Sequence, residues 1–517
     1  MSEAQLAAPA SAAAGGVESR WGAWALWAIL GVTALRLAWN TLELAPLHFD
    51  ESQYWTYGEA IDWGYYSKPP MVAWLIRAST EIFGDTPFGV RFFAPLLHAG
   101  VAAFVYVAAQ RLFDARTGFW AALIYLAAPG VSVSSTVMST DPPMMLAWAA
   151  ALYALARILT LGGPEGRMAG TGPWWIALGV AIGFGMLSKY TIIAFMGGAL
   201  GYALFARQAG PIWRAAPARA QLWGPLTALA AALVVFSPNL AWNAAHDFAS
   251  FTHLGDNAKL GHGVQFRFDK LGEFFGAQFG VFGPISFLAL LALPFLGRWR
   301  HEWQFRLLLW LTLPLLIAMC AQAFISRAHP NWAAPIYIAG SILVAAWLLD
   351  LGRRAWLTAS VALGAAAAAL FLAGVSVIGP DASALPRAYD PLKKTRHYHA
   401  ICARAMALRG DLRLISGDRK LMADCLWAGR LGVEEARMLP TDTKTNHYAL
   451  TIALDPDGAA ARGERFLLVQ RGGVAAAEAL LANFEEADLL EQGEARTHAD
   501  RSEPYILARV RGWRGER

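Results

Sequence analysis

An acidic pair, Asp50-Glu51, sits in the segment His48-Phe49-Asp50-Glu51-Ser52-Gln53-Tyr54-Trp55, and Trp63-Gly64-Tyr65-Tyr66-Ser67-Lys68-Pro69-Pro70 follows. A positioned carboxylate can take a proton from a hydroxyl. A lysine is a compact point charge suited to phosphate, and Pro69-Pro70 restrict the backbone next to Lys68. The pair directly follows an apolar run, Trp21 to Leu44, long enough to cross a bilayer. Carboxylates beside a membrane are costly to desolvate, so acid, lysine and aromatic rings together point to a pocket for a polar headgroup on a lipid tail. The plain alternatives are a solvated loop, an Asp50 that only caps a helix starting near Ser52, and a Lys68 that snorkels to lipid headgroups.

Three further segments carry polar groups at the ends of apolar runs: Ser139-Thr140-Asp141-Pro142-Pro143, Leu187-Ser188-Lys189-Tyr190 and His329-Pro330-Asn331-Trp332-Ala333-Ala334-Pro335. With the Asp-Glu and Gly-Tyr-Tyr-x-Lys-Pro-Pro patterns they resemble, in family order, the GT-C glycosyltransferases. The likeness is to bacterial relatives of protein O-mannosyltransferases and of the aminoarabinose and galacturonic acid transferases of lipid A, and it runs from residue 20 to residue 378. It implies an all-α polytopic membrane domain, a polyprenyl-phosphate-linked sugar donor, Asp50 as catalytic base, and Asp141 as a second acid that helps build the active site. Glu51 is grouped with them as catalytic, its charge and partial burial being expected to raise the Asp50 pKa from its ordinary value near 4. Lys68 is the first choice for the donor phosphate. Tyr65, Tyr66, Lys189, Tyr190, Arg327, His329 and Asn331 complete the expected substrate-binding set. Asp141 also reads as an N-cap, because Pro142-Pro143 suit a first helical turn, and Arg327 and His329 read equally as interfacial anchors. His48, Asp50, Glu51, Asp141 and His329 show no metal-ligand spacing, so no metal is expected, and no other cofactor.

The elements that must hold these residues follow from composition. The chain has 517 residues, 56% hydrophobic, 22 of them Trp, and only 16% charged, against about 25% charged in soluble domains. With roughly 20 apolar residues per crossing, windows near 21–43, 89–109, 117–131, 142–160, 173–187, 190–206, 221–242, 273–296, 304–323, 331–350 and 355–378 give about eleven transmembrane helices. Loops expected on the cytoplasmic side carry Arg in groups: Arg111 with Arg116, Arg157 with Arg167, Arg207 with Arg214 and Arg219, Arg298 with Arg300 and Arg306, and Arg353 with Arg354. Loops expected outside hold fewer cations, among them Arg77, Arg91, Lys259, Arg267 and Lys270. This alternation places the first loop, residues 45–88, and the C-terminal part outside, in a bacterial inner membrane. Residues 51–62 and 69–83 have helical spacing, with Trp55, Tyr57, Trp63, Trp74 and Phe83 suited to helices lying in the membrane interface.

Residues 1–19 are Ala- and Gly-rich and read as a disordered cytoplasmic terminus, not a signal peptide. Residues 379–517 read as a small periplasmic α/β domain. Its expected strands are Arg413 to Asp418 with a turn, Tyr448 to Leu454, Arg465 to Gln470 and Tyr505 to Arg511; its expected helices are Leu421 to Arg430 and Ala475 to Leu490. Cys402 and Cys425 fall in this part, either paired, if it faces an oxidising compartment, or free. No nucleotide-binding glycine fingerprint is present. The expected partners are the lipid-linked donor, a glycolipid acceptor (lipid A or lipopolysaccharide core) and membrane lipids; nucleic acid is not among them, and a monomer is expected. A protein acceptor is the alternative within the same fold. A lipid or solute transporter is the alternative outside it, and would call for polar residues in mid-span and a repeated architecture.

Overall fold

The computed structural model describes residues 8–515 except 162–169, 206–217, 259–265, 297–301, 382, 394, 397, 441–445, 456–457 and 459–462. Several residues used above to orient the chain (Arg167, Arg207, Arg214, Arg298, Arg300, Lys259) therefore lie outside the described residues, as do residues 1–7. The chain divides into two compact units: residues 1–38, 94–136 and 140–370, and residues 39–93, 137–139 and 371–517. The first loop thus groups with the C-terminal part.

The first unit is helical. Among the described residues, six helices are long and apolar enough to cross a membrane: Arg20–Asn40, Pro87–Leu112, Asp141–Leu161, Gln221–Ala245, Trp303–Ile325 and Arg354–Ile378. The chain is a multi-pass membrane protein, but the expected count of about eleven spans is not reached by this measure. The window 273–296 is one reason. It is two helices, Phe268–Phe282 and Pro284–Phe295, bent by 114°. Gly283 sits at φ +89°, where only glycine is at ease, and Pro284 has no N–H to carry the helix through. The window 117–131 likewise divides at Pro129 into Ala115–Ala127 and Pro129–Ser134. Gly172–Ser188, Tyr190–Phe205 and Ile336–Asp350 are apolar but shorter than a full crossing. At the other end of the chain, the first helix begins at Ala8, inside the segment expected to be disordered.

Two sequence features explain the packing of this unit. Gly179 and Gly183, one helical turn apart, let helix Gly172–Ser188 approach helix Ala218–Ala245, and a Cβ on Gly179 would collide with the Ala228 carbonyl. Arg36, inside the first apolar helix and 5% exposed, is tolerated because its guanidinium donates to Leu126 O at 2.7 Å and Ser132 Oγ at 3.0 Å.

The second unit contains a five-stranded sheet in the order β2-β1-β3-β5-β4: β1 Arg413–Ser416, β2 Ala436–Met438, β3 Arg465–Arg471, β4 Phe484–His498 and β5 Arg501–Trp513. β1 runs parallel to β2 and β3, and β5 runs antiparallel to β3 and β4. Ile415, Phe466, Leu468, Ile506, Ala508 and Val510 form its core with Phe484 and Trp513. Two expectations are corrected. Ala475–Leu490 is not one helix: the helix is Val474–Leu481, and Phe484 onward pairs with β5. β4 is an edge strand, which tolerates a charge-rich outer face, and its ladder overrides the helical pattern of Glu485 to Glu491. Tyr448–Leu454 is not a strand but starts as a short helix, His447–Thr451, because Asn446 caps it by accepting from Tyr448 N and Ala449 N. Cys402 and Cys425 are joined in a disulfide between helices His399–Arg409 and Arg419–Gly429.

Candidate active site

In the second unit the motif segment folds as helix Phe49–Glu59. The N-cap is His48, not Asp50. His48 Nδ1 accepts from Asp50 N at 3.2 Å, and the Glu51 carboxylate accepts from His48 N at 2.9 Å. This reciprocal cap leaves the Asp50 side chain unneeded for helix initiation. Glu51 is fully buried. Its oxygens accept from Arg91 Nε at 2.9 Å, Arg91 Nη2 at 2.8 Å and Met138 N at 2.9 Å. Arg91 also donates to the Ala45 and Pro46 carbonyls. Adjacent residues thus have opposite fates: Glu51 is locked in a bidentate ion pair, while the Asp50 carboxylate is 42% exposed and lies 3.6 Å from His48 Nδ1.

Tyr65 and Lys68 close a tight hairpin through Tyr65 N to Lys68 O at 3.1 Å and Lys68 N to Tyr65 O at 3.3 Å. Tyr65 anchors the hairpin: its ring stacks on Tyr57 at 4.3 Å, and its hydroxyl donates to Tyr57 O at 2.8 Å. Tyr66 is buried and Lys68 half-buried. The aromatic residues of the helix do not face lipid as expected. Trp55 packs edge-on against Trp427 at 5.2 Å, and Tyr57 against His447 at 4.3 Å. Both are essentially without exposure, whereas Trp63 and Phe83 remain exposed. Burial pushes the Tyr57 phenol up to about 12 and pulls the His447 imidazole down to about 3, so these rings meet as neutral groups.

The C-terminal part supplies contacts to this helix that sequence reasoning missed. Arg419 donates to Gln53 Oε1 at 2.6 Å, and Thr56 Oγ1 bonds Tyr448 OH at 2.8 Å. The Lys420 ammonium sits 4.5 Å over the ring of Phe49, the residue before Asp50. Burial lowers its pKa, aided by Arg419 and opposed by Asp418 and Asp50. The only trace of this in the sequence is the clustering of cations at Arg419-Lys420.

In the first unit, Asp141 opens helix Asp141–Leu161. Its Oδ1 accepts from Lys189 Nζ at 2.6 Å and its Oδ2 from Asn331 Nδ2 at 2.7 Å. Three of the four motif segments therefore meet here. Lys189 can reach Asp141 because it is an extended residue between helix Gly172–Ser188 and the turn Tyr190–Ile192. Tyr190 lies apart from the acid: its hydroxyl donates to Asn239 Oδ1 at 3.1 Å and its ring stacks on Phe251 at 4.8 Å. Asn239 and Asn243, both buried near the end of a long helix, were not anticipated. Arg327 and His329 are exposed, and the His329 ring meets Trp332 at 5.4 Å. Among the described residues no three His, Cys, Asp or Glu side chains gather as a metal site.

A family model described as dolichyl-phosphate-mannose-protein mannosyltransferase matches residues 67–242. The chain is similar to the lipid A galacturonosyltransferase RgtD of Rhizobium johnstonii, with 32% identity over 409 residues, 78% of this chain and 82% of that one. It is also similar to the undecaprenyl phosphate-alpha-4-amino-4-deoxy-L-arabinose arabinosyl transferase of Pseudomonas aeruginosa, with 29% identity over 58% of this chain and 52% of that one. The crystal structure of ArnT from Cupriavidus metallidurans bound to undecaprenyl phosphate shares the fold, with a TM-score of 0.64 over 93% of this chain and 97% of that one at 17% identity. By its identity and coverage against RgtD, with the fold in agreement, the chain belongs to the GT-C family of membrane glycosyltransferases that modify lipid A.

Proposed function

We propose that the protein transfers a sugar from a polyprenyl-phosphate donor to a hydroxyl of lipid A or lipopolysaccharide core at the periplasmic face of the inner membrane, with Asp50 as general base. The observation that carries the reading is the division of labour within the acidic pair. Glu51 is consumed by Arg91 and the helix cap, and the half-exposed Asp50 beside it stands on a rigid first turn. The acceptor oxygen attacks the anomeric carbon as its proton passes to the Asp50 carboxylate. The bond between the anomeric carbon and the phosphate oxygen breaks with its electron pair staying on the phosphate, whose growing charge Lys68 steadies. Glu51 acts as a positioning residue, not as a second acid. Asp141, with Lys189 and Asn331, gives a fixed polar site with hydrogen-bonding walls, fit for sugar hydroxyls. Arg327, His329 and Tyr66 remain substrate-binding candidates.

The names of the relatives support the lipid donor and the lipid A acceptor. The Arg distribution and the Cys402–Cys425 disulfide support an oxidising outer compartment for the C-terminal part. The family model's description favours a second reading, a protein acceptor. Mass spectrometry of lipid A and of envelope glycoproteins, with and without the gene, separates the two: a sugar lost from lipid A supports the first reading, and one lost only from protein overturns it. Topology reporters at Gly255 and at the C-terminus are expected to be active only as periplasmic fusions, and cytoplasmic activity at either would reverse the orientation.

A further inference from the structure

Helix Arg419–Gly429 lays Asp424 against helix Phe49–Glu59. Asp424 is 4% exposed, and no salt bridge reaches it among the described residues. Its Oδ1 is buried without a hydrogen-bond partner among those residues, and so is Ser52 Oγ, which it faces. The charges turned toward it share its sign: Asp50 and Glu51 from the motif helix, and Asp418 from the N-cap of its own. The phenols of Tyr448 and Tyr398 complete its titratable surroundings. Arg91, the cation bound to Glu51, is fully committed there. An unpaired carboxylate in such a place bears a large desolvation cost, and three like charges add to it. A carboxylic acid bears neither, and lets Asp424 pack against Ser52 beside Asp50 and Glu51 without adding a charge there.

We propose that Asp424 is a positioning residue that works as the neutral acid: its proton closes the contact between helices Phe49–Glu59 and Arg419–Gly429, and so holds Asp50 in its transfer geometry. Burial, more than the neighbouring carboxylates, pushes the Asp424 carboxyl up to about 8, with the Ser52 hydroxyl pulling the other way. An aspartate in the unfolded chain titrates near 4. The folded protein therefore holds the extra proton between about 4 and about 8, so stability falls as pH rises through that window and the loss is complete above it. The effect on transfer rests on the reading of Asp50 as base; the effect on stability does not.

The test uses purified full-length wild type, Asp424→Asn and Ser52→Ala in nanodiscs. Thermal unfolding is followed from pH 5 to about 9 and donor-titrated transfer from about 6.5 to about 9.5, bracketing the ionisation. In wild type, kcat is expected to fall above about pH 8, approaching tenfold per unit, with donor KM little changed. Asp424→Asn should remove that limb, and its melting temperature should gain on wild type as pH rises to 8 and then run parallel. Ser52→Ala should move the limb to higher pH, because the hydroxyl that favours ionisation is gone; this variant carries the test if Asp424→Asn does not fold. A melting difference independent of pH, an unchanged limb in Asp424→Asn, or an unmoved limb in Ser52→Ala each overturns the proposal. If the Asp424 results hold while Asp50→Asn stays active, the base assignment falls instead.

Discussion

The two acidic centres differ in what their oxygens are already doing. At Asp141 both oxygens are claimed, by Lys189 at 2.6 Å and Asn331 at 2.7 Å, and the side chain is 10% exposed. In the motif helix the cation and the cap fall on Glu51, and Asp50 keeps 42% of its side-chain surface. A carboxylate tied to a cation is a fixed charge that can orient a ligand. A carboxylate beside a tied one inherits its rigidity without its neutralisation, and can accept a proton. Neighbouring acids in one sequence motif are therefore not interchangeable; the hydrogen-bond inventory of each decides its role.

That contrast can be broken by substitution. Asp50→Asn is expected to lower kcat by about 10²–10⁴ with an unchanged melting temperature, measured by transfer assay and thermal unfolding; near wild-type turnover would return Asp50 to the status of a solvated side chain. Glu51→Ala is expected to act first on the fold, costing about 3–5 kcal/mol of stability because Arg91 is left buried without its partner. The check is chemical unfolding of the second unit's fluorescence; a loss of turnover at normal stability would make Glu51 a reacting group. Lys68→Ala should lower kcat/KM for the donor by roughly 10- to 150-fold, the worth of about 1.5–3 kcal/mol from a charge-assisted bond. Lys68→Arg should recover part of it, since a planar fork does not reproduce a compact ammonium. Unchanged donor kinetics in Lys68→Ala would leave that lysine an interfacial anchor. The smallest effect is expected at Asn331→Ala, about 1 kcal/mol of stability from one hydrogen bond, with a raised KM for the sugar-bearing donor; an unchanged KM would make the Asp141 cluster purely structural.

The sequence made some of this legible, for physical reasons. Polar groups at the ends of apolar runs are expensive, so Asp50, Lys68, Asp141, Lys189 and Asn331 stood out, and three of those five converge on one ion pair. Helix Asp141–Leu161 and strand β3 followed from their apolar patterns. What stayed hidden depended on partners far along the chain. Tyr57 and Trp55 look like interfacial residues until His447 and Trp427 cover them. β4 looks like a helix until β5 supplies its ladder. The rival reading of Asp50 as a helix cap fails because a histidine, His48, does the capping, with Glu51 completing it. The bend at Gly283 was hidden for a local reason, since one glycine at positive φ leaves no mark on a hydropathy window.

The hydrogen bond from Arg419 to Gln53 joins residues 366 apart in sequence. During synthesis at about 5–20 residues per second, Gln53 emerges roughly 20–70 s before Arg419 exists. Through that interval Trp55 and Tyr57 lack the rings of Trp427 and His447 that later cover them, so this loop keeps aromatic surface exposed on the nascent chain. A ribosome that stops before Trp427 leaves membrane helices in place but a loop that cannot mature.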